Sequence, residues 1–71
     1  MLREPVSSSN LASVGYDAAT ATLEIEFHSG GIYQYYNVPE SLFHDLLNAP
    51  SKGKFFHKYI KKAAFAYQKV R

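Results

Sequence analysis

At 71 residues, with no cysteine, the chain has room for one small domain and excludes disulfides and thiolate metal sites. Six tyrosines and five phenylalanines supply the large apolar areas that a domain of this size needs to hold a core. The net charge of +2 is unevenly placed, because six of the eight Lys and Arg residues are lysines beyond position 50 and three of the four carboxylates before position 30 sit at Asp17, Glu24 and Glu26.

Residues 1–10 read as an irregular lead-in, polar and small around Pro5 and held at most by Val6. Met1-Leu2-Arg3-Glu4-Pro5 lacks an apolar signal core and no apolar run reaches roughly 18 residues, so the expected setting is the cytoplasm, without a membrane. Residues 11–17 form a first strand carrying Leu11, Val14 and Tyr16, and 18–21 a loop. In 22–28, Leu23, Ile25 and Phe27 alternate with Glu24, Glu26 and His28, the period of two that a half-buried strand requires. Ser29-Gly30-Gly31 then returns the chain into a third strand, 31–37.

The loop length decides which tyrosines face inward. A two-residue loop pairs Phe27 with Ile32 and turns Tyr33 and Tyr35 outward. A three-residue loop pairs Phe27 with Tyr33 and Ile25 with Tyr35, sets Gln34 beside Glu26, and buries both tyrosines; this register is the one expected, with Gly30 or Gly31 at positive φ.

A helix over 39–48 follows, capped by Asn37 or Val38, with Pro39 in its first turn and Leu42, Phe43, Leu46 and Leu47 as its apolar stripe. Pro50 ends it. Ser51 caps a second helix, 51–61, with Phe55, Phe56, Tyr59 and Ile60 turned inward. The tail from Phe65 to Val70 alternates weakly, and two readings stay open: a short C-terminal strand, or an extension of the helix through Ala63-Ala64. The expected fold is α+β, a three-stranded antiparallel sheet with two helices packed on one face.

Three histidines, His28, His44 and His57, lie apart in sequence, with no His-x-x-x-His pair and no nucleophile elbow, so neither catalysis, nor a metal, nor a cofactor is expected. Glu24 and Glu26 could form a catalytic pair but are more simply the solvated face of a sheet. At Ser51-Lys52-Gly53-Lys54 the helix start offers free N–H groups to an anion, and Gly53 admits either a phosphate or a closely packed neighbour. Lys58, Lys61 and Lys62 continue the charge along the polar side of that helix, and Tyr36 is the exposed tyrosine available for base stacking.

Taken together, Ser8-Ser9-Asn10, Gly15-Tyr16-Asp17, Leu23-x-Ile25-x-Phe27, Gly31-Ile32-Tyr33-x-Tyr35, Val38-Pro39 and Ser51-x-Gly53-x-Phe55-Phe56 resemble the KTSC domain family. That family is a short module at the C-terminus of some lysyl-tRNA synthetases that also occurs as a stand-alone bacterial protein. The resemblance covers most of the chain and departs at Ala63-Ala64-Phe65-Ala66-Tyr67, where a Tyr-Pro-aromatic ending is usual. It implies a small bacterial module associated with RNA. The expectation is therefore RNA binding by Ser51, Lys52, Gly53, Lys54, Lys58, Lys61, Lys62 and Tyr36, the competing class being a structural or interaction module whose basic face meets an acidic protein surface.

Overall fold

The computed structural model describes residues 2–71. Five strands form one antiparallel sheet in chain order: β1 (Glu4–Pro5), β2 (Leu11–Asp17), β3 (Thr22–Phe27), β4 (Ile32–Tyr35) and β5 (Tyr67–Lys69). Between β4 and β5 run α1 (Glu40–Asn48), α2 (Lys52–Phe56) and a π-helical turn, His57–Lys61, that continues α2 directly. The two edge strands enlarge the expected three-stranded sheet to five.

Alternation sorts the strands into two faces. Leu23, Ile25, Tyr33 and Tyr35 share the helix-covered face with Val14, and Leu46, Phe56 and Ile60 close over them from α1, α2 and the π turn. Leu11 joins that face despite its odd spacing from Val14, because the pairing shifts between Leu11 and Ser13: a bulge at Ala12 resets the alternation. Leu11, Val14, Leu23, Ile25, Leu46 and Ile60 are fully buried, each contributing roughly 1.5–3 kcal/mol of transfer free energy.

The hairpin joining β3 to β4 turns Tyr33 and Tyr35 to the expected face, burying Tyr35 and leaving Tyr33 half-buried, but with a pairing two residues from the expected one. Ile25 faces Tyr33, Leu23 faces Tyr35, and Gln34 lies beside Glu24 instead of Glu26. The three loop residues are His28, Ser29 and Gly30, closed by Phe27 N–H to the Gly31 carbonyl and Gly30 N–H to the Phe27 carbonyl, each 2.9 Å. Gly30, at φ 108°, takes the positive-φ position, which frees Gly31 to begin the strand. His28 leaves the ladder because its N–H donates to the Asn10 carbonyl on the opposite side, at 2.9 Å.

The other sheet face carries a polar network that closes over Glu24. Arg3 Nη1 donates to Glu24 Oε2, and Gln34 Nε2 donates to Glu24 Oε1 at 2.8 Å. Arg3 Nε also donates to Ser13, whose hydroxyl donates to Glu26 at 2.9 Å. Glu24 is therefore buried, not part of a solvated face. Gly15 makes this arrangement feasible: a Cβ there would run into the Leu2 carbonyl, so only glycine lets the N-terminal segment cross and deliver Arg3. Residues 2–5 are thus docked, with Glu4 opposite Val14, where an irregular lead-in was expected.

Helix boundaries follow local chemistry. Asn37 turns at φ 60°, so Pro39, not Asn37 or Val38, is the cap of α1, and Val38 is buried with its carbonyl accepting from the Tyr16 hydroxyl. Ala64, also at φ 60°, stops the helical run, and the tail then pairs as β5, with Tyr35 opposite Tyr67 and Tyr33 opposite Lys69. Of the two readings of the tail, the strand is the one formed.

Three outcomes test this frame. Tyr35→Ala, removing a ring that stacks on Tyr67 and meets Phe56 edge-on, should cost about 3–5 kcal/mol in a denaturant titration, whereas half-buried Tyr36→Ala should cost about 1 kcal/mol or less. Equal losses, or the reverse order, would overturn this assignment of the two faces. Gly30→Ala forces a side chain into the positive-φ position and should cost about 1–3 kcal/mol although nothing crowds the site; a variant melting with the parent would remove that constraint on the register. Burial alone would raise the Glu24 carboxyl, but the hydrogen bonds from Gln34 and Arg3 and the arginine charge outweigh it and hold the group below its ordinary value of 4.5. The stability this adds is present above pH 4.5 and is lost as pH falls through the folded value, so the urea midpoint should drop on acidification more in the parent than in Glu24→Gln; parallel profiles would show that Glu24 is not responsible.

Candidate functional site

Two surface hollows and an aromatic cleft run together along the outer side of α2 and the π turn. The first hollow, about 560 Å³, is lined by Lys54, Lys58 and Lys62 with His57, and its floor is Asn10 and Gly53. These lysines recur at i, i+4 and i+8 on one side of the helical run, opposite buried Phe56 and Ile60. Ion pairs among the described residues join Arg3 to Glu24 and Glu40 to His44, so no carboxylate neutralises these lysines. Lys58 Nζ lies 5.3 Å from the centre of the half-exposed Tyr59 ring, a cation–π contact that leaves the ammonium at the surface.

A second hollow of about 390 Å³ continues from Asn10, Gly53 and His57 to Ser9, His28, Ser29 and Lys61. Short-range bonds fix this corner. The Ser8 hydroxyl accepts from the N–H groups of Asn10 and Leu11, each at 3.2 Å, and the Ser8 carbonyl lies 2.9 Å from His28 Nε2. Gly53 packs closely on Asn10, whose amide nitrogen lies 2.9 Å from where a Cβ would stand, so a side chain there would displace the Asn10 amide. The Ser-Ser-Asn and Ser-x-Gly stretches, 40 residues apart, thus meet as one wall.

Beyond Ser29 and Lys61 opens the aromatic cleft, about 520 Å³, between β4, β5 and the end of the π turn. Its walls are Tyr33, Tyr35, Phe56, Phe65 and Tyr67, with Phe27 at the base. Tyr67 stacks on Tyr35 with ring centres 5.5 Å apart, yet remains 63% exposed. Desolvation, with smaller contributions from the Tyr33 and Tyr67 phenols, pushes the Tyr35 hydroxyl up to about 12, so it stays a neutral donor and acceptor through the physiological range. The tyrosine hydroxyls that bond to other protein groups among the described residues are those of Tyr16 and Tyr36, so the phenols of Tyr33, Tyr35 and Tyr67 keep their hydrogen-bonding capacity for whatever enters the cleft.

The structure brings together Gly53, Lys54, Lys58, Lys61 and Lys62 from the sequence-based candidates and separates three others. Ser51 caps α2, its hydroxyl accepting from Lys54 N–H at 3.4 Å, so that donor is already occupied. Lys52 turns back to α1, where Nζ donates to the Ala49 carbonyl at 3.4 Å. Tyr36 lies on the opposite sheet face, its hydroxyl donating to Gln34 at 3.1 Å, and cannot stack beside the lysines. Residues that the sequence does not single out for this site are Ser9, Asn10, Ser29 and Phe65, together with His28 and His57, considered only for catalysis or a metal, and Tyr67, one of five tyrosines that could form a stacking platform but set aside in favour of Tyr36. Their nearest signal was the Ser8-Ser9-Asn10 stretch, whose partners become visible only once β3 and α2 are placed beside it. No group of three or more potential metal-ligating side chains occurs, and no helix is long and apolar enough to cross a membrane, among the described residues.

Comparison with known proteins places this architecture. A lysine-tRNA ligase of Trichormus variabilis is 47% identical over 55 residues, 78% of this chain but 10% of the ligase, so the chain spans about a tenth of such relatives. A Stutzerimonas stutzeri protein is 39% identical over 70 residues, covering 99% of both chains. The crystal structure of a KTSC domain protein from Yersinia pestis superimposes with a TM-score of 0.93 at 44% identity, over 99% of this chain and 97% of that one. The family model for the KTSC domain matches residues 7–65, and the chain belongs to the KTSC domain family.

Proposed function

We propose that the protein is a non-catalytic module of the bacterial cytoplasm that holds single-stranded RNA by its phosphates. The observation that carries this reading is the line of Lys54, Lys58 and Lys62, extended by Lys61 and His57, which lacks carboxylate partners and borders two adjoining hollows. Aligned ammonium groups with a shared opening suit a polyanion, whose binding releases counterions from the phosphates. Segments similar to this chain within lysine-tRNA ligases, which act beside RNA, agree with that choice of polyanion. The phosphate contact is made by the helix side, not its start, because Ser51 and Asn10 already occupy the capping and glycine positions.

Fluorescence anisotropy of a labelled single-stranded oligonucleotide across a salt series tests the reading. Log affinity should fall with log salt at a slope near −0.7 per phosphate contacted, and the double variant Lys54→Ala, Lys58→Ala should make the slope shallower by about 1.4 without moving the melting temperature appreciably. Lys52→Ala should leave the slope nearly unchanged. Absence of binding at about 50 mM salt, or an unchanged slope in the double variant, would reject the phosphate track. An acidic protein surface is then the partner to test, by saturable binding that competitor RNA does not reduce.

A further inference from the structure

We propose that the aromatic cleft between β4, β5 and the π turn receives one nucleobase of the bound RNA, with that nucleotide's phosphate held at the polar end by Lys61 and Ser29. This inference rests on the RNA reading above and adds where the base goes. Its first support is continuity. The lysine-lined hollow shares Asn10, Gly53 and His57 with the polar hollow, and the polar hollow shares Phe27, Ser29, Phe56 and Lys61 with the cleft, so the three adjoin in a row from the lysines to the aromatic end.

The cleft's chemistry selects the occupant. At about 520 Å³ it lies within the range of roughly 300–1,000 Å³ usual for small-molecule sites, and more than fills the need of a single base. Its walls are flat rings, which gain from stacking on any base, and its rim is polar: the phenols of Tyr33, Tyr35 and Tyr67 are free to pair with a base edge. An apolar ligand would leave those hydroxyls unpaired. A cationic ligand would meet Lys61 and no carboxylate, because neither the cleft nor the adjoining hollow is lined by Asp or Glu. A flat ring system with hydrogen-bonding edges and an attached anion satisfies all three surfaces.

The exposure of Tyr67 makes the same point from folding. A three-residue edge strand, exposed throughout, sets a large ring at 63% exposure over Tyr35, where β5 gains little by burial. As the outer wall of a cleft, the ring has a surface available for stacking, and a base laid against it would cover that surface.

The experiment compares two labelled oligonucleotides of equal length, one with bases and one abasic throughout, at about 50 mM salt against the parent and Tyr67→Ala. The parent should bind the abasic chain roughly 5- to 150-fold more weakly, and Tyr67→Ala should bring the two affinities together while keeping the parent's salt slope. Equal affinities in the parent, or a preference that survives Tyr67→Ala, overturn the base pocket and leave the phosphate track standing; no binding of either chain overturns both. Because Tyr67→Ala can loosen β5, titration of the unaltered protein with adenosine monophosphate, followed by NMR, gives an independent reading. Shifts of the Tyr33, Phe65 and Tyr67 ring protons support the pocket, and shifts confined to the lysine-lined hollow overturn it. Displacement of the oligonucleotide by a phosphotyrosine peptide but not by free nucleotides would likewise overturn it, in favour of a peptide partner.

Discussion

The architecture depends on the register of the β3–β4 hairpin, and that register is set by a small group of backbone bonds. Phe27 exchanges bonds with Gly30 and Gly31, while the next residue, His28, donates its N–H in the opposite direction to Asn10. A slip of one residue would turn Tyr33 and Tyr35 out and Gln34 in, leaving Glu24 without one of its donors and Phe56 without the Tyr35 ring it packs against. Both faces of the sheet, apolar and polar, therefore resist the same error. The positive φ of Gly30 lets the loop close in three residues and keeps this register accessible.

The parity of the strands was legible because alternation is a local property. Leu23, Ile25 and Phe27 carry the period of two in the sequence itself, and any slip by two residues preserves it; hence the faces were assigned correctly while the pairing was not. Loop length alone did not resolve the remaining ambiguity. It was resolved by His28, whose hydrogen bond goes to a residue 18 positions earlier. Similarly, β1 has almost no signal of its own: two residues, one of them proline, become a strand because Arg3 finds Ser13 and Glu24 across a glycine that permits the crossing. Non-local contacts also decided the tail, where the alternation from Phe65 to Val70 was weak and Ala64 adopts a conformation that composition does not announce.

Site residues show the same division. The lysines at 54, 58 and 62 share a side by helical spacing, which can be counted in the sequence, and the structure keeps them together. Lys52 falls outside because a long flexible side chain near a helix start can reach a vacant carbonyl, here that of Ala49. Tyr36 was separated by the alternation that also buried Tyr35: adjacent strand residues point to opposite faces, so a tyrosine bonded to Gln34 has to lie away from the helices. The tyrosines that do stand near the lysines, Tyr33 and Tyr67, come from strands paired across the 31 residues of chain between Tyr35 and Tyr67.

The π turn joins these two regions. Its wider closure, with Lys62 N–H donating to the His57 carbonyl at 3.2 Å, lets the helical run bury Ile60 and still carry Lys61 to the mouth of the cleft. Immediately afterwards Ala64 reverses the chain, and Phe65 and Tyr67 form the far wall. One short segment thus supplies a cation, a change of direction and two aromatic walls. Shortening the helical run by a residue would rotate Lys61 away from Ser29 and displace the start of β5 from β4, so the edge strand and the polar end of the cleft are constrained together. The lysine track, by contrast, uses side chains on the exposed side of the same run and has no lining residue in common with the aromatic cleft, which allows charge and stacking to be altered separately.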